Sequence, residues 1–230
     1  MFYVTGDTHA SFLALFDQLR TMPLGPGDGC IILGDAGFNY SGVEQDRWNK
    51  QLMETLEVPI LCVHGNHECR PAALPAYALR DWQGGQVWAE PSFPHLLFAR
   101  DGDVYTINGR SVLVIGGAYS VDKPYRLAHG YHWWADEQPD ETVRQRVEAA
   151  LAARDWQVDI ILSHTCPARY IPAEALLPGL DQSQVDRSTE SWLDTIESRT
   201  RYSRWYCGHW HINKRVDRMQ FLFHDILPLE

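Results

Sequence analysis

The sequence predicts an α/β protein in which two β-sheets are flanked by helices, and two observations support this. In the first third of the chain, short β-rich runs alternate with helical patterns in the order βαβαβ, which implies a parallel sheet with helices packed against it. In the middle of the chain, strands follow one another closely with turn residues between them, notably Asn108-Gly109. That dipeptide is a strong hairpin signal, and the change of pattern predicts a second sheet.

The N-terminal elements follow from hydrophobic periodicity. Residues 2–5 predict a strand, and the i, i+3, i+4, i+7 spacing of Phe12, Leu15, Phe16 and Leu19 predicts a helix. Residues 30–33 and 59–63 are the next two predicted strands. The helix between them is expected around Trp48, Leu52 and Leu56.

The remaining elements alternate in the same way. Strands are predicted at residues 86–89, 96–99, 104–107, 111–115, 158–162 and 204–207. Val143, Val147, Ala150 and Leu151 predict a helix that Pro139-Asp140 would cap, and residues 188–200 predict another. Residues 214–216 and 220–223 are typical of a closing hairpin. With no repeat and no linker composition, residues 1–230 are expected to form a single domain.

Composition narrows the function classes. The chain is 45% hydrophobic and 22% charged, which is ordinary for a globular protein. No apolar run approaches the length of a membrane span, so no membrane association is expected. A net charge of −10 argues against a broad surface for nucleic-acid backbones. The five scattered cysteines do not resemble a disulfide framework, so a reducing cytoplasm is the expected location.

Polar side chains follow five of the predicted strands, at the point where each strand ends. Ligands in open α/β sheets gather at the carboxyl ends of the strands, so these five segments are expected to converge. Imidazole, carboxylate and amide ligands together suit zinc, iron or manganese better than calcium. Each segment alone also fits a turn, a helix cap or a core histidine. The residues concerned are Asp7, His9, Asp35, Asn66, His67, His164, His209 and His211.

The ordered set "GDTH", "GD", "GNHE", "SH" and "GHWH" resembles the calcineurin-like metallophosphoesterase superfamily, from Asp7 to His211. The resemblance implies a four-layer αββα sandwich of two mixed sheets and two divalent ions, manganese, iron or zinc. Two such ions can hold both oxygens of an in-line phosphoryl displacement. The resemblance further implies that a hydroxide bridging the ions is the nucleophile and that His67 protonates the leaving oxygen. It assigns Asp7, His9 and His211 to one ion, Asn66, His164 and His209 to the other, and Asp35 to both.

The sequence departs from the family's protein phosphatases at one place. Those enzymes continue the second motif as Gly-Asp-x-Val-Asp-Arg-Gly, whereas this chain reads "GDAGFNY", with Phe38 where the second aspartate would stand. The departure argues against a protein phosphatase. It also leaves open which carboxylate orients His67, since Glu68 is adjacent in sequence but need not face it.

The segment 116–139 is the candidate for substrate selection, as a wall or lid beside the metals. It joins a strand to a helix with about two dozen residues, longer than such connections usually are. Its cations Lys123 and Arg126 could pair with phosphate oxygens, and its aromatic Trp133 and Trp134 could stack on a base or sugar. Packing of the tryptophans onto the domain is an equal alternative. Arg70 is a further candidate phosphate contact.

These observations favour hydrolysis of phosphomonoesters or small phosphodiesters, with a phosphorylated small molecule as the partner. One alternative is a nuclease, because DNA-repair nucleases share this metal site, although the acidic balance disfavours it. The other is a non-catalytic binding module, which would be expected to lose ligands that this chain retains.

Overall fold

The computed structural model describes residues 1–230 and contains two β-sheets and five α-helices. The strands in chain order are β1 Phe2–Thr5, β2 Gly29–Ile32, β3 Ile60–Cys62, β4 Ala78–Trp82, β5 Gly85–Ala89, β6 Leu96–Ala99, β7 Val104–Ile107, β8 Arg110–Ile115, β9 Ile160–Ser163, β10 Arg204–Cys207, β11 Lys214–Val216, β12 Met219–Phe221 and β13 Leu227–Pro228. The helices are α1 Phe12–Thr21, α2 Val43–Glu54, α3 Lys123–His129, α4 Glu141–Ala152 and α5 Ser188–Arg199. Short 3-10 turns lie at Pro71–Ala73, Ala168–Tyr170, Ala173–Ala175 and Gln182–Gln184.

Both sheets are mixed. The first has the order β13-β1-β2-β3-β6-β5-β4, with β1, β2, β3 and β6 parallel and the outer strands antiparallel. The second has the order β11-β12-β10-β9-β8-β7, with β12, β10, β9 and β8 parallel between two antiparallel edge strands. Because the central strands of each sheet are parallel, several of their carboxyl ends lie at the same edge.

Successive side chains of a strand point to opposite faces of its sheet, so each sheet packs against the other sheet on one face and against helices on the other. The result is four layers, with helices outside and the two sheets inside. In β2, Ile31 packs into the core between the sheets, whereas Cys30 and Ile32 pack on the outer face against α1 and α2. In β9, Ile160 faces the other sheet, and Ile161 faces the layer formed by α4 and α5. The predicted fold class, two mixed sheets with helices outside, is confirmed. No helix of the chain is both long and apolar enough to cross a bilayer.

Several predicted elements are also confirmed. The stripe expected in α1 buries Phe12, Leu15 and Leu19. Asp140 caps α4, and its side chain accepts a hydrogen bond from the backbone nitrogen of Val143. This bond satisfies one of the amide groups that a helix start leaves without a partner. The closing hairpin pairs β11 with β12.

Helix α2 forms where the sequence predicts a helix, and Leu52 and Leu56 pack against the core, but part of its buried face is polar. Trp48 is 48% exposed, and the buried positions of the helix are Asp46, Asn49, Lys50 and Met53. Lys50 forms ion pairs with Asp46 at 2.6 Å and with Glu90 at 3.2 Å. A paired network satisfies the charges that burial would otherwise penalise. The periodicity of apolar residues does not predict buried positions that are stabilised by ion pairs.

Three elements were not predicted. Strand β4 forms an edge and is almost wholly exposed, so its sequence lacks a hydrophobic stripe. Helix α3 lies inside the segment 116–139 and buries none of its residues. Strand β13 has only two residues, and it is defined by pairing with β1 across the length of the chain.

Candidate metal centre and adjoining cavity

The seven predicted ligands meet where strands of both sheets end. Asp7 and His9 follow β1, Asp35 follows β2, and Asn66 follows β3, whereas His164, His209 and His211 follow β9 and β10 of the other sheet. Because the strand ends converge, residues more than 200 positions apart come into contact.

One group consists of Asp7, His9 and His211. The Nε2 atoms of His9 and His211 are 2.9 Å apart. The Asp7 Oδ2 atom lies 3.3 Å from His211 Nε2 and 3.8 Å from His9 Nε2. The three ligand atoms all lie within 4.8 Å of one another, which is close enough for one cation to contact them together.

The second group is centred on the Asn66 side-chain oxygen. Asn66 Nδ2 donates to Ser120 Oγ at 2.9 Å, so the amide oxygen faces the histidines. It lies 2.8 Å from His164 Nε2 and 3.1 Å from His209 Nδ1. The residues that carry these atoms are buried or half-buried.

Asp35 lies between the two groups. Its Oδ2 atom is 4.0 Å from His9 Nε2 and 3.7 Å from His164 Nε2. Its Oδ1 atom accepts the backbone N–H of His67 at 2.8 Å. One oxygen therefore fixes the loop that carries His67, and the other is free to face a cation in either group.

Several lone pairs of the ligand groups face one another, an arrangement that suits a bound cation better than hydrogen bonds within the protein. His164 Nδ1 lies 2.7 Å from the Leu33 carbonyl oxygen, which can only accept, so this nitrogen carries the proton in the neutral ring. The Nε2 lone pair then faces the Asn66 oxygen, and two acceptors meet at hydrogen-bond distance. In addition, Asp7 Oδ2 is buried without any hydrogen-bond partner. Buried acceptors that converge without a donor are what divalent cations satisfy.

The pKa values of His209 and Asp7 also favour metal binding. Burial holds the pKa of His209 well below its ordinary value, and the neighbouring His164 adds to this effect. Burial disfavours the charged Asp7, but the close imidazole of His211 and those of His164 and His9 lower the pKa of its carboxyl overall. A neutral imidazole and an ionised carboxylate are the forms that bind metals.

The backbone at this edge is held in an uncommon conformation. His9, Asp35, His209 and His211 all have φ between 43° and 64°, in the left-handed region. Residues other than glycine adopt that region rarely, and such residues cluster at functional sites. Gly208 has a different role, because a Cβ atom there would come within 2.2 Å of Asp7 Oδ1. The backbone can approach this carboxylate only because position 208 lacks a side chain.

His67 lies beside these groups rather than within them. Its ring centroid is 5.9 Å from that of His9, and its side chain lines a cavity that opens from the ligands. Burial lowers the pKa of His67, although the nearby Asp35 opposes the shift. Glu68 points away from His67, since its Oε1 atom accepts the Gly65 amide at 2.7 Å in the interior. Phe38, which replaces the phosphatase aspartate, is a core residue that stacks on Phe12 at 4.3 Å.

The cavity has a volume of about 300 Å³, and two walls enclose it. One wall carries Asp35, Asn66, His67, His209 and His211. The opposite wall comes from the connection between β9 and α5 and from the start of α5, and it includes Ala175, Leu176, Leu177, Leu180, Val185 and Glu190. Sequence reasoning missed this second wall, which has no motif. The sequence contains one signal of this wall, which is that Glu190 shares a face of α5 with Leu193 and with Glu197, so that a glutamate lies on a buried face.

The structure does not bring the five predicted substrate contacts into this cavity. Arg70 lines a separate cavity, where it pairs with Asp101 at 2.6 Å. Arg126 pairs with Asp122 at 2.7 Å and donates to the Tyr40 hydroxyl. The Lys123 ammonium lies 4.1 Å from the centre of the Trp133 ring.

The two tryptophans pack onto their surroundings. Trp133 donates to the Glu137 carboxylate at 2.8 Å, and Trp134 packs edge-on against Tyr40 at 5.9 Å. Only the beginning of the segment 116–139 lines the cavity, with Tyr119, Val121 and Asp122. For the tryptophans, the structure therefore favours packing over substrate contact.

The chain belongs to the calcineurin-like phosphoesterase family, whose model matches residues 1–213. No curated protein sequence matches the chain. Among solved structures, TT1561 of Thermus thermophilus is similar in fold, with a TM-score of 0.51 at 14% identity over 90% of this chain and 80% of that one. A second structure has a TM-score of 0.53 at 14% identity, covering 96% of this chain and 88% of the other. The family thereby indicates metal-dependent hydrolysis of phosphoesters.

Proposed function

We propose that this protein is a dinuclear metal-dependent phosphoesterase that hydrolyses phosphomonoesters or small phosphodiesters. The observation that carries the proposal is the pair of ligand groups with Asp35 between them. One oxygen of Asp35 lies within 4.0 Å of a ligand nitrogen from each group. A single ion would not require a carboxylate in this intermediate position.

Each ligand has a proposed role. Asp7, His9 and His211 would hold one ion, Asn66, His164 and His209 the other, and Asp35 would contact both. Two bound divalent ions, manganese, iron or zinc, would supply Lewis acidity toward the phosphoryl oxygens and lower the pKa of a water nucleophile. The protein's own contribution is to hold the imidazoles and carboxylates in place before any substrate arrives.

His67 is the proposed proton donor. Its backbone is fixed by the Asp35 Oδ1 atom, and its side chain faces the cavity next to the ligands. A histidine there can hold a proton near the ester oxygen that leaves, which is the geometric requirement for general acid catalysis. Asp122 lines the same cavity and supplies a carboxylate in its neighbourhood, which the second motif lacks.

The substrate is proposed to be a small molecule, because a 300 Å³ cavity matches the lower range of small-ligand sites. A cytoplasmic location accords with the five free thiols. The test is to load the purified protein with Mn²⁺ and to assay 4-nitrophenyl phosphate, bis(4-nitrophenyl) phosphate and single-stranded DNA. Hydrolysis of either nitrophenyl ester, abolished by EDTA and restored by Mn²⁺, is expected. Cleavage of DNA alone would instead identify a nuclease, and no hydrolysis by the metal-loaded protein would identify a binding module.

A further inference from the structure

The cavity beside the metal ligands contains a buried carboxylate that no protein group satisfies. Glu190 lies in the first turn of α5 and is only 3% exposed. Its Oε1 atom accepts the Thr165 hydroxyl at 2.8 Å, but its Oε2 atom is buried without a hydrogen-bond partner. Because a buried acceptor without a donor destabilises the folded protein, such a group calls for an explanation.

The nearest cation does not provide that partner. Arg187 lines the same cavity, but its Nη2 atom donates to the Gln182 side chain at 2.6 Å. Trp210, also in the cavity lining, has an indole nitrogen that is buried without an acceptor. The cavity lining therefore has two unmatched acceptors, Glu190 Oε2 and Asp122 Oδ1, and one unmatched donor, and none belongs to a predicted metal ligand. Of the two carboxylates, only Glu190 is buried, since the Asp122 side chain is 39% exposed and pairs with Arg126.

Several other side chains of the cavity lining are apolar. Leu176, Leu180 and Val185 are half-buried, and Leu177 is 57% exposed, although all four line the cavity. Leucines at the rim of a cavity become more deeply buried when an apolar group enters, which favours the binding of such a group.

We propose that the cavity binds the alcohol part of the substrate, as a compact apolar or aromatic group that carries a hydrogen-bond donor for Glu190. This inference rests on the proposed function, because it takes the phosphoryl group to lie at the metal ligands. The substrate class is thus a small ester with an aromatic or aliphatic body and an amino or hydroxyl group at the end remote from phosphorus. Because a donor that pairs with Glu190 also fixes the body in the cavity, it affects both binding and turnover.

Glu190→Gln is the decisive variant. The Thr165 hydroxyl would hold the amide oxygen, so the amide NH₂ group would replace the unmatched oxygen and present a donor to the cavity. The variant should therefore reverse the preference from ligands that donate to ligands that accept. Glu197→Gln is the matched control, since Glu197 is a buried glutamate of the same helix that binds Tyr202 and Arg218 instead.

The first measurement is binding to the protein in EDTA, by ligand-observed NMR with benzylamine as donor and anisole as acceptor. Wild type and Glu197→Gln should bind benzylamine at least about tenfold more tightly than anisole, and Glu190→Gln should abolish or reverse that ratio. Equal binding of the two ligands by wild type, or an unchanged ratio in Glu190→Gln, would overturn the inference.

The second measurement is hydrolysis by the Mn²⁺-loaded protein of phenyl phosphate and 4-(aminomethyl)phenyl phosphate. Wild type should favour the amine by about tenfold in kcat/KM, and Glu190→Gln should lose the preference while still hydrolysing phenyl phosphate. If neither ester reacts but the binding preference persists, the proposed function is wrong and the binding site stands. If Glu190→Gln does not fold, Leu176→Asn and Leu180→Asn should weaken both aromatic ligands about tenfold, and unchanged binding would overturn the inference.

Discussion

The two walls of the cavity are built in different ways. The metal-ligand wall lies at the ends of buried parallel strands, and three of its ligands, Asp35, His209 and His211, are held in left-handed backbone conformations. The opposite wall is mainly a connection with short 3-10 turns, and apart from the buried Glu190 at the start of α5 its side chains are half-buried or exposed. The sheets thus fix the groups that would perform the chemistry, whereas side chains on a connection shape the space for the substrate. Reaction class and substrate choice can consequently be altered separately.

The largest effect is expected from Asp35→Asn, on the metal-ligand wall. The amide can still accept the His67 backbone N–H through its oxygen, but it removes the charge shared by the two ligand groups. We expect kcat/KM on 4-nitrophenyl phosphate to fall about 10⁴-fold, because metal ions supply several kcal/mol of transition-state stabilisation. Metal content measured by mass spectrometry should fall in parallel. Full metal content with normal activity would show that Asp35 is not the shared ligand.

A smaller loss is expected from His67→Ala, which lies on the same wall but is not a ligand. Metal content should be retained, while kcat on an alkyl phosphate should fall by about 10²–10³-fold because the leaving alkoxide needs a proton. The loss should shrink on 4-nitrophenyl phosphate, whose leaving group needs little protonation. An equal loss on both esters would argue that His67 acts on something other than the leaving oxygen.

The segment 116–139 should contribute to stability more than to turnover. Trp134 packs against Tyr40 and stacks on His132 at 5.8 Å, outside the cavity. Trp134→Ala should lower the free energy of unfolding by about 1–3 kcal/mol and change kcat/KM by less than about twofold. Leu127→Ala, at an exposed position of the same segment, is the control and should change neither. A stable Trp134→Ala protein with severely reduced kcat/KM would restore the lid hypothesis.

The smallest effect concerns the opposite wall and depends on pH. Burial raises the pKa of Glu190 above its ordinary value of 4.5, although Thr165 and Arg187 oppose the shift and Asp186 adds to it. Between 4.5 and the raised pKa the folded state binds more protons than the unfolded state, so the free energy of unfolding falls as pH increases. Below 4.5 this contribution is fully present, and above the raised pKa it is lost.

Glu190→Gln removes this titration. In EDTA, the free energy of unfolding of wild type minus that of the variant should therefore decrease with pH, at up to about 1.4 kcal/mol per pH unit within the window. Urea denaturation at a series of pH values measures the difference. A difference that is constant from about pH 4 to 8 would show that Glu190 has the same pKa in both states.

The same contrast explains what could be predicted from the sequence. Asp7, Asp35 and His164 each follow a β-rich apolar run, so strand prediction alone brings them to one edge. Leu176 and Leu180 lie among turn residues, and their approach to the metal-ligand wall depends on how the whole connection packs. The polar part of the buried face of α2 was not predicted for a related reason, since its lysine and aspartate are buried through pairing with each other. Local pattern predicts burial that is driven by hydrophobicity, and it does not predict burial that is driven by polar partners.

We propose that two divalent ions are held by one shared carboxylate, and the stoichiometry of metal binding tests this most directly. Isothermal titration of the EDTA-treated protein with Mn²⁺ should give two ions per chain in wild type and in His67→Ala. Asp35→Asn should bind both ions more weakly, because the shared carboxylate faces ligands of both groups. A stoichiometry of one ion per chain in wild type, or loss of a single ion with unchanged affinity for the other in Asp35→Asn, would contradict the account.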